Sequence, residues 1–211
     1  MVFLLSLAAS CSWDDTDASR EHRLLRAARN GYMGDIRTLL DQGVDIETRN
    51  PSDGWSPLFW AAVRDNGAAV KLLASRGAKL ETRDRKGLTA LMCAARWGHK
   101  EGVAALLDAG ANVEAVDGNG WTALMWAAFK GQGEMVAFLL DRGADLEARD
   151  IDGRTPFILA AMKGHEKTVA ILRARGANIN ARGPEGKTGA DLAEKNGYAD
   201  LAKRLRASLG R

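Results

Sequence analysis

Leu88-Thr89-Ala90-Leu91 is the stretch on which the reading of this chain turns, because its threonine returns at Thr122, Thr155 and Thr188, 33 residues apart, with Ser56 one step upstream. A glycine stands two residues before each of these positions, at Gly54, Gly87, Gly120, Gly153 and Gly186. A second row, Gly77, Gly110, Gly143 and Gly176, keeps the same phase 21 residues after Ser56, Thr89, Thr122 and Thr155. Two glycine rows in step define an internal repeat, and a repeat of this length marks a stacked architecture in which each unit buries its apolar face on its neighbours. Within a unit, Asp-x-x-Gly (Asp84 to Gly87, Asp117 to Gly120, Asp150 to Gly153) suits a β-turn with glycine free for positive φ. The Thr or Ser behind it is a helix N-cap, and in Ser56-Pro57 the proline takes the first helical position, where no donor is lost. Paired alanines (Ala61-Ala62, Ala94-Ala95, Ala127-Ala128, Ala160-Ala161) permit close helix approach, and Gly98, Gly131 or Gly164 ends this first helix. A second helix carries Val70, Val103, Val136 or Val169 and an apolar pair such as Leu106-Leu107 or Leu139-Leu140. Gly-Ala at 77–78, 110–111, 143–144 and 176–177 closes it as a glycine C-cap.

Thr155-Pro156-Phe157-Ile158-Leu159-Ala160-Ala161, followed by Gly164-His165, Val169 and Gly176-Ala177, resembles an ankyrin repeat. The resemblance covers about residues 20 to 211 and implies an all-α solenoid, a curved stack of helix-turn-helix units with β-hairpin-like turns projecting from one edge. The expected organisation is an N-terminal cap at 20–50, internal repeats at 51–83, 84–116, 117–149 and 150–182, and a C-terminal cap at 183–211, six units in all. The family's Thr-Pro-Leu-His becomes Ser-Pro-Leu-Phe, Thr-Ala-Leu-Met twice and Thr-Pro-Phe-Ile, so the histidine bonds between neighbouring units need replacements. Asp65 stands in place of a helix-ending glycine, and Pro51 and Ser52 lengthen the first internal turn by a residue.

Of 211 residues, 46% are apolar and 27% charged, a balance that excludes disorder. The net charge is +3; without Asp14, Asp15 and Asp17 of a base-free leader, residues 20–211 hold 30 bases against 24 acids, too mild an excess for a nucleic-acid binder. Two cysteines, Cys11 and Cys93, cannot build a disulfide scaffold. Residues 1–10 are uncharged, and Leu7-Ala8-Ala9-Ser10-Cys11 resembles a bacterial lipobox, although no basic residue precedes it. That resemblance makes 1–19 a signal remnant and acidic tether, Cys11 a lipidation site, the lipid the one membrane attachment, and the cell envelope the expected location, with the cytoplasm as the alternative.

Few motifs in the chain carry chemistry. Ala181-Arg182-Gly183-Pro184-Glu185-Gly186-Lys187-Thr188 satisfies a relaxed phosphate-loop pattern, with Lys187 for phosphate and Thr188 for magnesium, but Gly186 and Thr188 are also the repeat's own turn glycine and cap. His22, His99 and His165 have no cysteine or carboxylate cluster at ligand spacing, and Cys93 reads as core. No catalytic residue, cofactor or metal is expected.

In ankyrin-like stacks the residue before the helix cap and the two before the helix-ending glycine face the concave surface. By that resemblance the candidate partner-binding residues are Trp55, Leu88, Trp121 and Arg154 in one row, Arg96, Phe129 and Met162 beside Val63 in the next, and Arg64, Trp97, Lys130 and Lys163 in the third. Such residue types are enriched in protein interfaces. Trp60 and Trp126, one step deeper, are expected to pack between units. The function that follows is a non-catalytic monomer that binds another protein, not nucleic acid, through groove and hairpin tips. The alternatives are a nucleotide-binding switch or enzyme at 181–188, or an occluding spacer.

Overall fold

Short helices follow wherever a hydroxyl can cap them. In the computed structural model, which describes residues 19–207, Ser56 accepts from the Phe59 amide, Thr89 from Met92, Thr122 from Met125 and Thr155 from Ile158. At Thr188 the cap becomes a reciprocal capping box with Asp191. The leader and Cys11 lie outside the described residues. Twelve α-helices then run in six antiparallel pairs: α1 (Arg20–Asn30) with α2 (Met33–Asp41), α3 (Pro57–Val63) with α4 (Gly67–Ser75), α5 (Ala90–Trp97) with α6 (Lys100–Asp108), α7 (Ala123–Phe129) with α8 (Gly133–Asp141), α9 (Pro156–Met162) with α10 (Glu166–Ala174), and α11 (Gly189–Lys195) with α12 (Ala199–Ala207).

First helices pack on first helices and second on second, giving two layers of an all-α solenoid. The paired alanines between the layers are wholly buried. Among the described residues the strand content is two isolated bridges, Arg83 to Thr89 and Arg182 to Thr188, at the necks of projecting turns. No helix among them is long and apolar enough to cross a membrane.

The missing histidines are replaced by buried apolar side chains, Phe59, Met92, Met125 and Ile158, and the polar stitching moves elsewhere. Arg49 donates to the Arg83 carbonyl, Arg83 to that of Val116 and Arg149 to that of Arg182, each tying one hairpin to the next. Glu47, Glu81, Glu114 and Glu147 accept the amides of Lys79, Asn112, Asp145 and Asn178 in the following unit. The extra residue near Pro51 is absorbed in the turn itself: Asn50 closes on the Trp55 carbonyl, where Asp84 closes on Leu88.

Asp65 adopts φ 59°, the left-handed conformation that glycine supplies in other units. Its carboxylate accepts the Gly102 amide at 2.8 Å and so caps the next unit's α6. A recurring socket accompanies these turns. A Cβ at Gly131 would meet the His165 ring at 2.7 Å, and one at Gly164 would run into the Tyr198 ring. Each glycine therefore receives a side chain from the unit that follows, and His165 also donates through Nε2 to the Phe129 carbonyl.

Candidate binding face

The ends of the first helices carry the sequence-derived candidates, and the structure sorts them by burial. Trp97 is 45% exposed, and Arg64 and Lys163 are exposed with it. Trp55, Arg96, Phe129, Lys130, Arg154 and Met162 are half-buried. Leu88 and Trp121 lie inside, Trp121 at 8% exposure, so their expected place on an open surface needs correcting. The physical reason for Trp121 is its indole N–H, which donates at 2.8 Å to Asp150 of the next turn. The ring is also wedged against Trp126 (centroids 4.6 Å) and Phe129 (5.0 Å). Leu88 has no polar tip and joins the buried apolar core. Trp60 is buried, whereas Trp126 is half-buried at the edge of the face.

Asp150 shows how one turn builds both scaffold and site. Its Oδ1 accepts the amides of Asp152 and Arg154, shaping the turn; its buried Oδ2 takes Trp121 Nε1 and Arg154 Nε, the latter at 2.7 Å. Arg154 is neutralised further by Asp152 at 2.6 Å. Asp117 repeats the plan, with Oδ2 accepting from Trp126 Nε1 at 3.0 Å. In the first internal turn the corresponding residue is Asn50, whose amide is engaged by Ser52 and Asp53, and the buried Trp60 Nε1 has no partner.

Cations lie over the rings. Arg29 sits 5.1 Å and Arg64 5.8 Å from the Trp60 centroid, and Arg96 lies 4.9 Å from Trp126 and 5.5 Å from Trp97. Lys130 is 6.0 Å from Trp97, and Lys163 is 4.6 Å from Phe129. Each such contact is worth roughly 0.5–1 kcal/mol where water reaches it. Burial, aided by the charges of Arg96 and Lys163, holds the Lys130 ammonium below the ordinary lysine range. Burial and Arg29 do the same to Arg64. Arg96 Nε is buried without an acceptor. Arg29 escaped the sequence reading because the candidate rows start at the first internal unit; counting back from Gly31, the left-handed C-cap of α1, finds it.

The remaining candidates are built for structure. Burial pushes the Cys93 thiol up to about 12, which keeps it protonated and unreactive. Lys187 pairs with Glu185, and the Thr188 hydroxyl donates to Asp191 Oδ2 at 2.7 Å, so the phosphate-loop-like turn engages one of its two chemical groups within the turn and the other in the cap of α11. Asp191 is held down to about 2, first by the Thr188 hydroxyl and amide and then by Arg206. No three His, Cys, Asp or Glu side chains among the described residues are placed to hold a metal ion.

The family described as ankyrin repeats (3 copies) matches residues 24–117, 76–150 and 111–183. Ankyrin repeat domain-containing protein 40 of Mus musculus is 32% identical over 77 residues, 36% of this chain and 21% of that protein. The probable E3 ubiquitin-protein ligase XBOS32 of Oryza sativa subsp. japonica is 37% identical, and the E3 ubiquitin-protein ligase XBAT33 of Arabidopsis thaliana 39%, each over 82 residues covering 38% of this chain and 16% of the relative. The chain thus matches about a fifth or less of the length of these relatives. With helix pairs, glycine sockets and family match in agreement across the middle of the chain, this protein belongs to the ankyrin repeat family.

Proposed function

We propose that this chain is a non-catalytic, monomeric binding module that holds a partner protein in the concave groove formed by the ends of its first helices, assisted by the hairpin tips, where Ile151 is exposed. The repeat domain spans residues 20–211 in the six units set out above. Ankyrin repeats are in general a protein-protein interaction module, and the activity in the ligase relatives' names is not carried over to a chain that matches 16% of their length. The observation that carries the reading is Trp97: a large ring kept 45% in water on a helix end, with Arg96 and Lys130 over it. Buried aromatic and arginine anchors dominate binding energy at interfaces.

Site-specific photo-crosslinking tests this reading. A photoreactive group at position 97 is expected to label a discrete partner, one at the outer position Ala170 none, and Trp97→Ala to weaken that partner's binding at least tenfold without lowering the unfolding midpoint. Equal labelling from both positions would favour the occluding spacer. The nucleotide switch gains no support from a turn whose Lys187 and Thr188 are both engaged.

A further inference from the structure

Arg29, Arg64, Arg96, Lys130 and Lys163 stand one to a unit at the ends of five successive first helices, and none is ion-paired among the described residues. Helix ends attract cations through the backbone dipole, so their position alone is unremarkable. The second helices provide the control. Arg76, Arg142 and Arg175 also cap helix ends, yet each is paired with an aspartate of the preceding unit, Asp41, Asp108 and Asp141, at 2.8–2.9 Å. The segments forming α3, α5, α7 and α9 contain no Asp or Glu, and Asp65, the acid adjoining Arg64, is turned to cap α6. The inner row is thus a run of like charges that the chain leaves uncompensated, with Arg96 Nε lacking even a neutral acceptor.

Spacing narrows what can complement it. Packed helices lie about 8–10 Å apart, so the row presents one positive charge about every 10 Å. Duplex DNA carries one negative charge per about 1.7 Å of axis, far denser than this row can match. An extended peptide rises about 3.3 Å per residue, and three residues cover one step. A helical ligand would seek an apolar trough, whereas here cations are interleaved with the rings along the row. We infer that the inner row docks an extended acidic segment of the partner protein with a carboxylate at about every third residue, an assignment that rests on the concave groove being the binding face.

The test is calorimetric titration of the full chain with a synthetic peptide bearing glutamate at every third position among uncharged residues. An isomer with the same glutamates contiguous and inorganic polyphosphate serve as comparison ligands. The spaced peptide is expected to bind at least tenfold more tightly than the contiguous isomer and to weaken as salt rises. Arg64→Gln and Lys163→Gln, both at exposed positions, should each reduce its affinity severalfold with unchanged unfolding midpoints, while Arg76→Gln and Arg175→Gln on the outer layer leave it unaltered. Equal binding of the two peptides, preference for polyphosphate, or equal loss from inner and outer variants overturns the assignment. If the spaced peptide fails while position 97 still crosslinks a partner, the acidic segment falls and the groove stands; if both fail, both fall.

Discussion

The inner and outer helix layers use the same cations at the same helix ends and treat them oppositely. On the outer layer Arg142 meets Asp108 at 2.9 Å and joins neighbouring units. On the inner layer Lys130 has aromatic faces and other cations beside it but no carboxylate, and burial, then the charges of Arg96 and Lys163, disfavour its charge. A charge that helps the stack is paired across a seam, and one that does not is available to something else. Burial divides the tryptophans in the same way. Trp121 has its N–H on Asp150 and belongs to the stack, whereas Trp97 keeps 45% of its surface in water.

The largest expected effect breaks this comparison at the tryptophans. Trp121→Ala removes a buried ring and one of the two donors to Asp150 Oδ2, and should cost about 3 kcal/mol in urea unfolding. Trp97→Ala should change stability by less than about 0.5 kcal/mol, as an exposed substitution does; a loss matching that of Trp121→Ala would make the inner face plain core. Cys93 sharpens the contrast between core and surface. In a Cys11→Ser background its thiol, with a pKa of about 12, should resist a thiol reagent at pH 8 until the chain is unfolded. Prompt labelling of the native protein would refute its burial.

The C-terminal cap offers a pH-dependent version. Asp191 is held down to about 2, so its contribution is present above the ordinary carboxylate range near 3.9 and is lost as pH falls through about 2. Asp191→Asn should therefore destabilise at neutral pH, and its deficit against the parent should shrink between pH 4 and 2. The smallest effects separate the two layers directly. Arg142→Ala removes a partly exposed ion pair and should cost about 0.5 kcal/mol, whereas Lys130→Gln should cost less, because the lost cation–ring contacts are offset by relief of burial and of repulsion from Arg96 and Lys163. The reverse ranking in urea would mean that the inner cations serve the fold.

The repeat phase, helix caps and layer assignment were legible from Leu88-Thr89-Ala90-Leu91 and the glycine rows because backbone requirements for positive φ and capping are local. Which tryptophan faces water was not. Trp55, Trp97 and Trp121 are the same letter, and what separates them is an acceptor 29 residues downstream: Asp84 for Trp55 at 3.4 Å and Asp150 for Trp121 at 2.8 Å. A tryptophan before the cap, with an aspartate in the following turn, was the available signal. Asp65 was equally opaque, since its strained φ serves an amide at Gly102, in another unit. Arg29 was missed because the candidate rows start at the first internal unit and leave out the N-terminal cap, although it stands two residues before Gly31 as Arg96 does before Gly98.

The glycine sockets carry a consequence for how such a chain can be lengthened or shortened. The hollow at Gly131 belongs to one unit and the His165 ring that fills it to the next; Gly164 and Tyr198 repeat the arrangement with a different plug. Each seam is thus joint property, written half in one unit and half in its successor. Deleting the unit that holds both Gly164 and His165 would bring Tyr198 to the hollow at Gly131, a mismatch of shape and of hydrogen bonding to the Phe129 carbonyl. Units of this chain are therefore interchangeable only as matched neighbours: the seams Gly98 to Gln132, Gly131 to His165 and Gly164 to Tyr198 overlap along the chain, so any junction between units that were not neighbours leaves at least one hollow facing a plug that was not built for it.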